Sequence, residues 1–403
     1  MTLAMQLFLA LSLVALAFGV GLYRRDSLHP GVLQAGQWGL IGIAYAVAPH
    51  SFRDIDASTS MLITTATAAF VLASITAGSR RQSTVGTSYH STALRPLLFW
   101  IALLGLPVFA WRAQELASTA DFTESFFINL RIALTREDDE AVTYGALGYL
   151  LPIAFVATLV ELTSSNARFF ERRGWVSLAI AIAYAMLATG RTFIFLLFIA
   201  IAFIALVQRR VRPMQLVLGS AAFVGVGFFG LGMLVNKVGD GMDNTAALTA
   251  LDAFALYLLS GLAAFDLVHA TPTALDWGLN VLRSPIAVAR AMGFDVQVLP
   301  LVKDYVFVPE PTNIYTVMLP YVRDFSWPGL LFFFALFGRM HGSLYLRAKL
   351  GDPRCVVLYG LSVYPLLMQF FQDQYLSLLT TWVQLGVLVW LCFRRTPASG
   401  AAA

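Results

Sequence analysis

Arginine carries a planar, permanently charged fork that matches phosphate oxygens two at a time. This chain places a few arginines where charge is otherwise scarce. Arg191 stands in Thr189-Gly190-Arg191-Thr192, a hairpin link between two apolar stretches. An arginine so close to hydrocarbon is costly, and it marks either a functional position or an interface anchor that reaches lipid phosphates. Arg283, Arg290, Lys303 and Arg323 follow within one long polar stretch. As a group they suit a di-anionic pyrophosphate. Taken singly, each reads as the partner of a local carboxylate such as Asp276, Asp295 or Asp324. Asp324, Asp266, Glu310 and His269 are candidate proton acceptors in the same stretch. A general base needs hydrogen-bond reach to the group it deprotonates and a pKa tuned by its surroundings. Asp324 leads because it adjoins Arg323 and the aromatics Tyr321, Phe325 and Trp327. The plain alternative for each is a structural or solvated polar group. Asn313, Tyr315 and Tyr321 offer an amide for hydroxyls and aromatic faces for the C–H face of a pyranose. Tyr315, Tyr321 and Trp327 equally suit an interfacial aromatic belt, which leaves Asn313 unexplained.

Other chemistries lack their residues. The chain contains no P-loop, Gly-rich dinucleotide turn, HExxH, paired CxxC or GxSxG elbow. His50 and His269 are the histidines outside the expected cytoplasmic side, and Cys355 and Cys392 lie in or beside late apolar segments. A zinc site, a disulfide framework and a cofactor are therefore not expected. No basic and aromatic ladder for nucleic acid occurs.

The elements that must position these residues are membrane helices. The chain of 403 residues is 58% hydrophobic and only 12% charged, with a mean hydropathy of +0.73. A soluble domain carries about 25% charge, so the deficit assigns the chain to a bilayer. Eleven apolar segments lie near 3–22, 31–48, 57–77, 97–111, 143–162, 175–189, 192–208, 214–235, 328–346, 355–371 and 375–393. The fourth and sixth are short and extendable. Backbone groups in lipid must bond within their own segment, which makes each a helix, and the alternating signal of a barrel is absent. The first segment has no basic residue before it and no clear cleavage site, so it reads as a span and not as a removable signal.

Alternate links carry Arg24-Arg25, Arg80-Arg81 with Arg95, Arg168 with Arg172-Arg173, Arg209-Arg210 with Arg212, Arg347 with Lys349 and Arg354, and Arg394-Arg395. With Arg339 these are 17 of the 27 basic residues, beside Asp26, Glu161, Glu171 and Asp352. The positive-inside rule makes this set cytoplasmic. Two outward regions are then large: 112–142, ending in Glu137-Asp138-Asp139-Glu140, and 236–327. Within the second, 251–268 reads as an interfacial or re-entrant helix, because Asp252, Asp266 and Ser260-Gly261 interrupt it. The expected organisation is spans over 1–235, a large periplasmic loop over 236–327, spans over 328–395 and a disordered tail over 396–403.

Four stretches carry a resemblance. They are the Arg191 turn in LATGRTFIFLLFIAIAFI; the loop helix with Tyr257, Ser260-Gly261 and Phe265-Asp266; Pro311-Thr312-Asn313-Ile314-Tyr315; and Asp324-Phe325 followed by Gly329 and a helix. In these the chain resembles the oligosaccharide repeat-unit polymerases, the Wzy-type or O-antigen polymerase family of bacterial inner membranes. The likeness covers residues 180–370, and the first 170 residues match in topology alone. The family often has Asp-Phe-Gly followed by a second glycine, and here Ser326 replaces the first.

The resemblance implies an all-α polytopic GT-C type glycosyltransferase of the inner membrane with its active site facing the periplasm. Its partners would be undecaprenyl-pyrophosphate-linked oligosaccharides as donor and acceptor, membrane lipids and a chain-length regulator, with no metal or nucleotide sugar. Outside the cytoplasm there is no ATP, so the energy must come from the pyrophosphate leaving group. On this reading Arg191 with Arg290 or Arg283, and then Arg323, hold the pyrophosphate. Asp324, His269 or Asp266 is the base, and Asn313, Tyr315 and Tyr321 bind glycan or order the loop. The site is expected in a cleft between the Arg191 turn and the segment from Asn313 to Asp324. Rival readings are an O-antigen ligase, which shares the architecture, a polysaccharide flippase, and a non-catalytic scaffold.

Overall fold

The computed structural model describes residues 3–48, 50–77, 87–120, 125–135, 143–165, 170–212, 214–215, 219, 250–269, 274–300, 303–308 and 311–397. Among these the protein is mostly helical, as the apolar segments require, with two short antiparallel strand pairs. Five helices are long and apolar enough to cross a membrane: Leu3–Arg24, Ala57–Thr76, Leu94–Ser118, Gly145–Ser164 (with its opening 3-10 turn) and Met318–Lys349. The expected short fourth span is in fact the 25-residue helix Leu94–Ser118. Of the expected span at 214–235 only 214–215 and 219 are described, and the acidic run 137–140 lies outside the described residues.

The chain divides into two compact units. The first comprises Met1–Ser83, Leu248–Arg347 and Ser362–Trp382. Its opening helix Leu3–Arg24 packs on Pro30–Val47, which starts with proline at its first position and His29 as cap, the ring accepting from Gly31 N at 3.1 Å. Ala57–Thr76 meets the long helix Met318–Lys349 at Gly338 and Gly342. A Cβ at either glycine would strike the backbone of Phe70 or Ser74. The four-residue glycine spacing lets two backbones approach without intervening side chains. Trp38, Phe70, Phe265, Tyr321, Phe334 and Tyr375 are the large side chains of this unit's core.

The second unit comprises Thr84–Ala247, Ala348–Leu361 and Val383–Ala403. Leu94–Ser118, Leu150–Ser164 and Arg172–Leu187 pack together, and Tyr184 Oη donates to Ala102 O at 2.9 Å. The buried Glu161 faces Arg95 and Arg173, at 3.3 Å from the latter. One carboxylate thus compensates two cations at the end of a helix. Thr87–Ser91 pairs antiparallel with Phe393–Pro397. This corrects the expected disorder from residue 396, since Thr396 and Pro397 pair with Ser88 and Thr87.

The polar stretch also ends earlier than expected. Helix Met318–Lys349 begins nine residues before the anticipated boundary at 327, so Tyr321, Arg323 and Asp324 are helical. The helix is broken at Ser326, whose φ of 59° and ψ of −167° lie where glycine alone is at ease. Pro328 follows and cannot donate its missing N–H. The break separates a short turn of helix, 318–325, from the apolar part that the sequence reading recognised.

Candidate functional site

The polar stretch of the first unit is organised around one buried carboxylate. Asp324 is fully buried and accepts from Asn280 N at 3.2 and 3.1 Å, Asn280 Nδ2 at 2.7 Å and Val281 N at 2.7 Å. Asp276 N donates to Arg323 O at 3.0 Å. Asn280 extends the network: its Nδ2 also reaches Asp276 Oδ2 at 2.8 Å, and its Oδ1 accepts from Lys303 Nζ at 2.6 Å. Asp324 therefore holds the turn 276–282 against the start of the long helix. Three donors share its two oxygens, which suits an anchor of this turn.

The other two carboxylate and imidazole candidates differ from each other. Asp266 is fully buried, accepts from Asp56 N at 2.9 Å and faces Arg53 Nε at 3.3 Å. It ties the helix Ala250–His269 to the link before Ala57–Thr76 and is an ion-paired structural group. His269 ends the same helix, half-buried, with its ring stacked on Phe265 at 5.5 Å. Burial lowers its pKa and the neighbouring Asp266 partly restores it. The ring makes no hydrogen bond among the described residues.

Three of the candidate cations share one neighbourhood. Burial lowers the Lys303 pKa, Asp276 and Asp324 raise it, and Arg283 and Arg323 lower it further. All four residues are thus close enough to act on its charge. Arg283 Nε donates to Leu299 O at 2.7 Å, which orients its fork at the start of helix Arg283–Ala291. Arg290, in the last turn of that helix, is exposed and is not brought into this group by any described contact. Glu310 and the side chain of Arg191 lie outside what is described. The backbone around Arg191 is the expected hairpin, with Thr189 at a φ of 52° and Gly190 capping the helix Arg191–Val207.

Three of the four stretches that carry the resemblance lie in the first unit, and the Arg191 turn lies in the second. Ser260 Oγ lies 3.3 Å from Thr312 Oγ1, and both are buried. A Cβ on Gly261 would sit 2.6 Å from Phe370 O and 3.1 Å from Ile314 Cγ2, so that position tolerates only hydrogen. Tyr257 stacks on Phe371. Gly329 leaves room for the Phe325 side chain. Tyr315 and Tyr321 are not belt residues: both are buried, donating to Asp304 O at 2.8 Å and Asp373 Oδ1 at 2.9 Å. Tyr321 thus orders the interior instead of facing glycan, while Trp327 is 59% exposed, as a belt residue would be.

Residues 368–378, between helices Pro353–Leu367 and Leu379–Cys392, complete the site. Asp373 is their hub, with Oδ1 bonded to Tyr321 Oη and Tyr375 N and Oδ2 to Ser377 N and Oγ, all at 2.8 to 2.9 Å. Burial raises its pKa, and these donors oppose the rise. Gln369 O accepts from Val317 N at 2.8 Å, which fixes the stretch to the start of the long helix. Between the two lies a cavity of about 180 Å³, with Lys303, Asn313, Tyr315, Gln372 and Asp373 in its wall. The sequence reading missed this contribution. The signal was Gln369-Phe-Phe-Gln-Asp-Gln374, a polar cluster between two apolar segments, which read as a simple link.

No group of metal-ligating side chains occurs among the described residues. Comparison with protein families, with curated proteins and with solved structures finds no match, so the resemblance rests on the quoted residues.

Proposed function

We propose that this membrane-embedded protein is a glycosyltransferase that polymerises undecaprenyl-pyrophosphate-linked oligosaccharide repeat units into O-antigen or a related polysaccharide at the periplasmic face of a bacterial inner membrane. The observation that carries this reading is the convergence of Asn313–Thr316, the start of the long helix and the connection 368–378, with Lys303, on one cavity. A scaffold without a site would not need to assemble amides, aromatics and a desolvated cation there.

In the proposed reaction an acceptor hydroxyl oxygen attacks the anomeric carbon of the donor glycan. The bond from that carbon to the pyrophosphate oxygen breaks, and its electron pair leaves with the pyrophosphate. The hydroxyl proton passes to one of the three candidate bases, Asp324, Asp266 or His269; the His269 ring makes no hydrogen bond among the described residues. Lys303, Arg283 and Arg323 stabilise the charge gathering on the leaving group. Helix ends and backbone anchors set these cations before reaction, so little reorganisation is needed.

Incubating the purified protein with lipid-linked repeat units and resolving the products on a gel tests the reading. A ladder of increasing length is expected. Unextended repeats in the presence of folded protein would overturn it. Deletion in cells separates the polymerase from a ligase: single-repeat glycan on the lipid core is expected, whereas a lost ligase leaves the core bare.

A further inference from the structure

We propose that the cavity between Asn313 and Gln372 is a subsite for one pyranose ring of the glycan, with the two carboxamides choosing which sugar enters; this rests on the glycosyltransferase reading for the identity of the chain that presents the ring. Size sets the first limit. A cavity of about 150 Å³ holds one six-membered ring. One of about 180 Å³ has room for a single ring with its hydroxyls.

Polarity sets the second. Asn313 comes from the extended segment before the long helix and Gln372 from the connection 368–378. Both are half-buried, and neither side chain forms a hydrogen bond among the described residues. Each carboxamide offers an acceptor oxygen and two N–H donors. Two such groups on separate walls suit a ring that carries hydroxyls around its edge. A polar ligand can take the place of water on each half-buried carboxamide. Ile314, Leu319, Pro320 and Phe371 supply the apolar wall that a sugar's C–H face covers.

Charge sets the third. Both oxygens of Asp373 are held by Tyr321, Tyr375 and Ser377. Lys303 is the one cation among the described residues of the wall, and Asp276 and Asp324 act on it. Arg283 and Arg323, the forks proposed for the pyrophosphate, are not among the described residues of this wall. A neutral or singly charged ring fits it, with Lys303 retaining donors beyond the one given to Asn280.

The test uses the full chain in lipid nanodiscs and saturation-transfer NMR with methyl glycosides of a hexose, a 6-deoxyhexose, an N-acetylhexosamine and a hexuronic acid. At least one glycoside is expected to bind, and Asn313→Ala and Gln372→Ala each to weaken it at least tenfold with the unfolding midpoint unchanged. Binding by none of the four, or equal binding to both variants, overturns the proposal. Should either alanine variant fail to fold, Asn313→Asp and Gln372→Glu keep the shape and replace N–H donors by carboxylate. They must change the ranking of neutral against acidic glycosides, and an unchanged ranking also overturns it. The ladder assay separates the two claims. Glycoside binding without a ladder leaves the subsite and removes the polymerase; a ladder with normal rates and sugar choice in both variants does the reverse.

Discussion

Asp324 shows how one buried carboxylate can organise the turn beside a candidate site. It satisfies two backbone N–H groups and a carboxamide at once. Asp324→Ala orphans these buried donors, at about 1–3 kcal/mol for each group left unpaired. The expected result is a chain that loses its folded loop, read as a lowered unfolding midpoint and faster proteolysis near 276–282. Asp324→Asn should also destabilise, because its N–H₂ opposes donors. Loss of turnover at full stability in that variant would assign Asp324 as the base. Loss of the ladder in His269→Ala with the unfolding midpoint held would assign His269 instead. Lys303 adds a pH signature. Its folded pKa lies below its ordinary value of 10.5. The unfolded chain therefore binds the extra proton between the two values, and stability rises with pH through that window. The contribution is complete above the unfolded value and is lost as pH falls through the lowered folded value. Unfolding midpoints across alkaline pH should show this slope in the wild type and not in Lys303→Met.

At the scale of the element, the break in helix Met318–Lys349 is the informative feature. Ser326 occupies a conformation that costs a non-glycine residue about 1–3 kcal/mol. Glycine would remove that strain and add back about 0.5–1 kcal/mol of chain entropy. Ser326→Gly is accordingly expected to raise stability by about 1 kcal/mol, which thermal unfolding of the purified protein would read. The expected family glycine at this place then has a physical reason, since the break turns Asp324 toward the 276–282 turn. Further along the same helix, Gly338 and Gly342 admit the backbone of Ala57–Thr76. Gly338→Leu forces the two helices apart, at about 3 kcal/mol, the upper part of the usual overpacking range. An unchanged midpoint in that variant would contradict the close crossing. The break was foreshadowed by Ser-Trp-Pro-Gly at 326–329, but an apolar run reads the same whether its first turn is joined or offset.

At the scale of the whole molecule, the charge bias of the links remains the basis for orientation. A reporter fused near residue 298 should be active in the periplasm and inactive in the cytoplasm, and the reverse result would remove the energetic argument for a pyrophosphate donor. Arg191→Ala, which enters through the resemblance, should abolish long polymer while leaving the protein in the membrane; wild-type polymer length would remove Arg191 from the mechanism.

The sequence alone determined the membrane class, most apolar helices and the helix over 251–268. Hydrophobic length and residue type are local properties, and a chain carries them wherever it folds. Only the tertiary structure decided what each polar residue does. Asp324, Asp266 and Tyr321 have the chemistry of a site, yet their partners Asn280, Arg53 and Asp373 lie 44, 213 and 52 residues away in the chain. Gln372 read as part of a link until the connection 368–378 closed on Asn313. A carboxylate becomes an anchor or a base according to whether its lone pairs are already filled. That depends on which distant donors the packed helices bring to it, and no spacing along the chain records it.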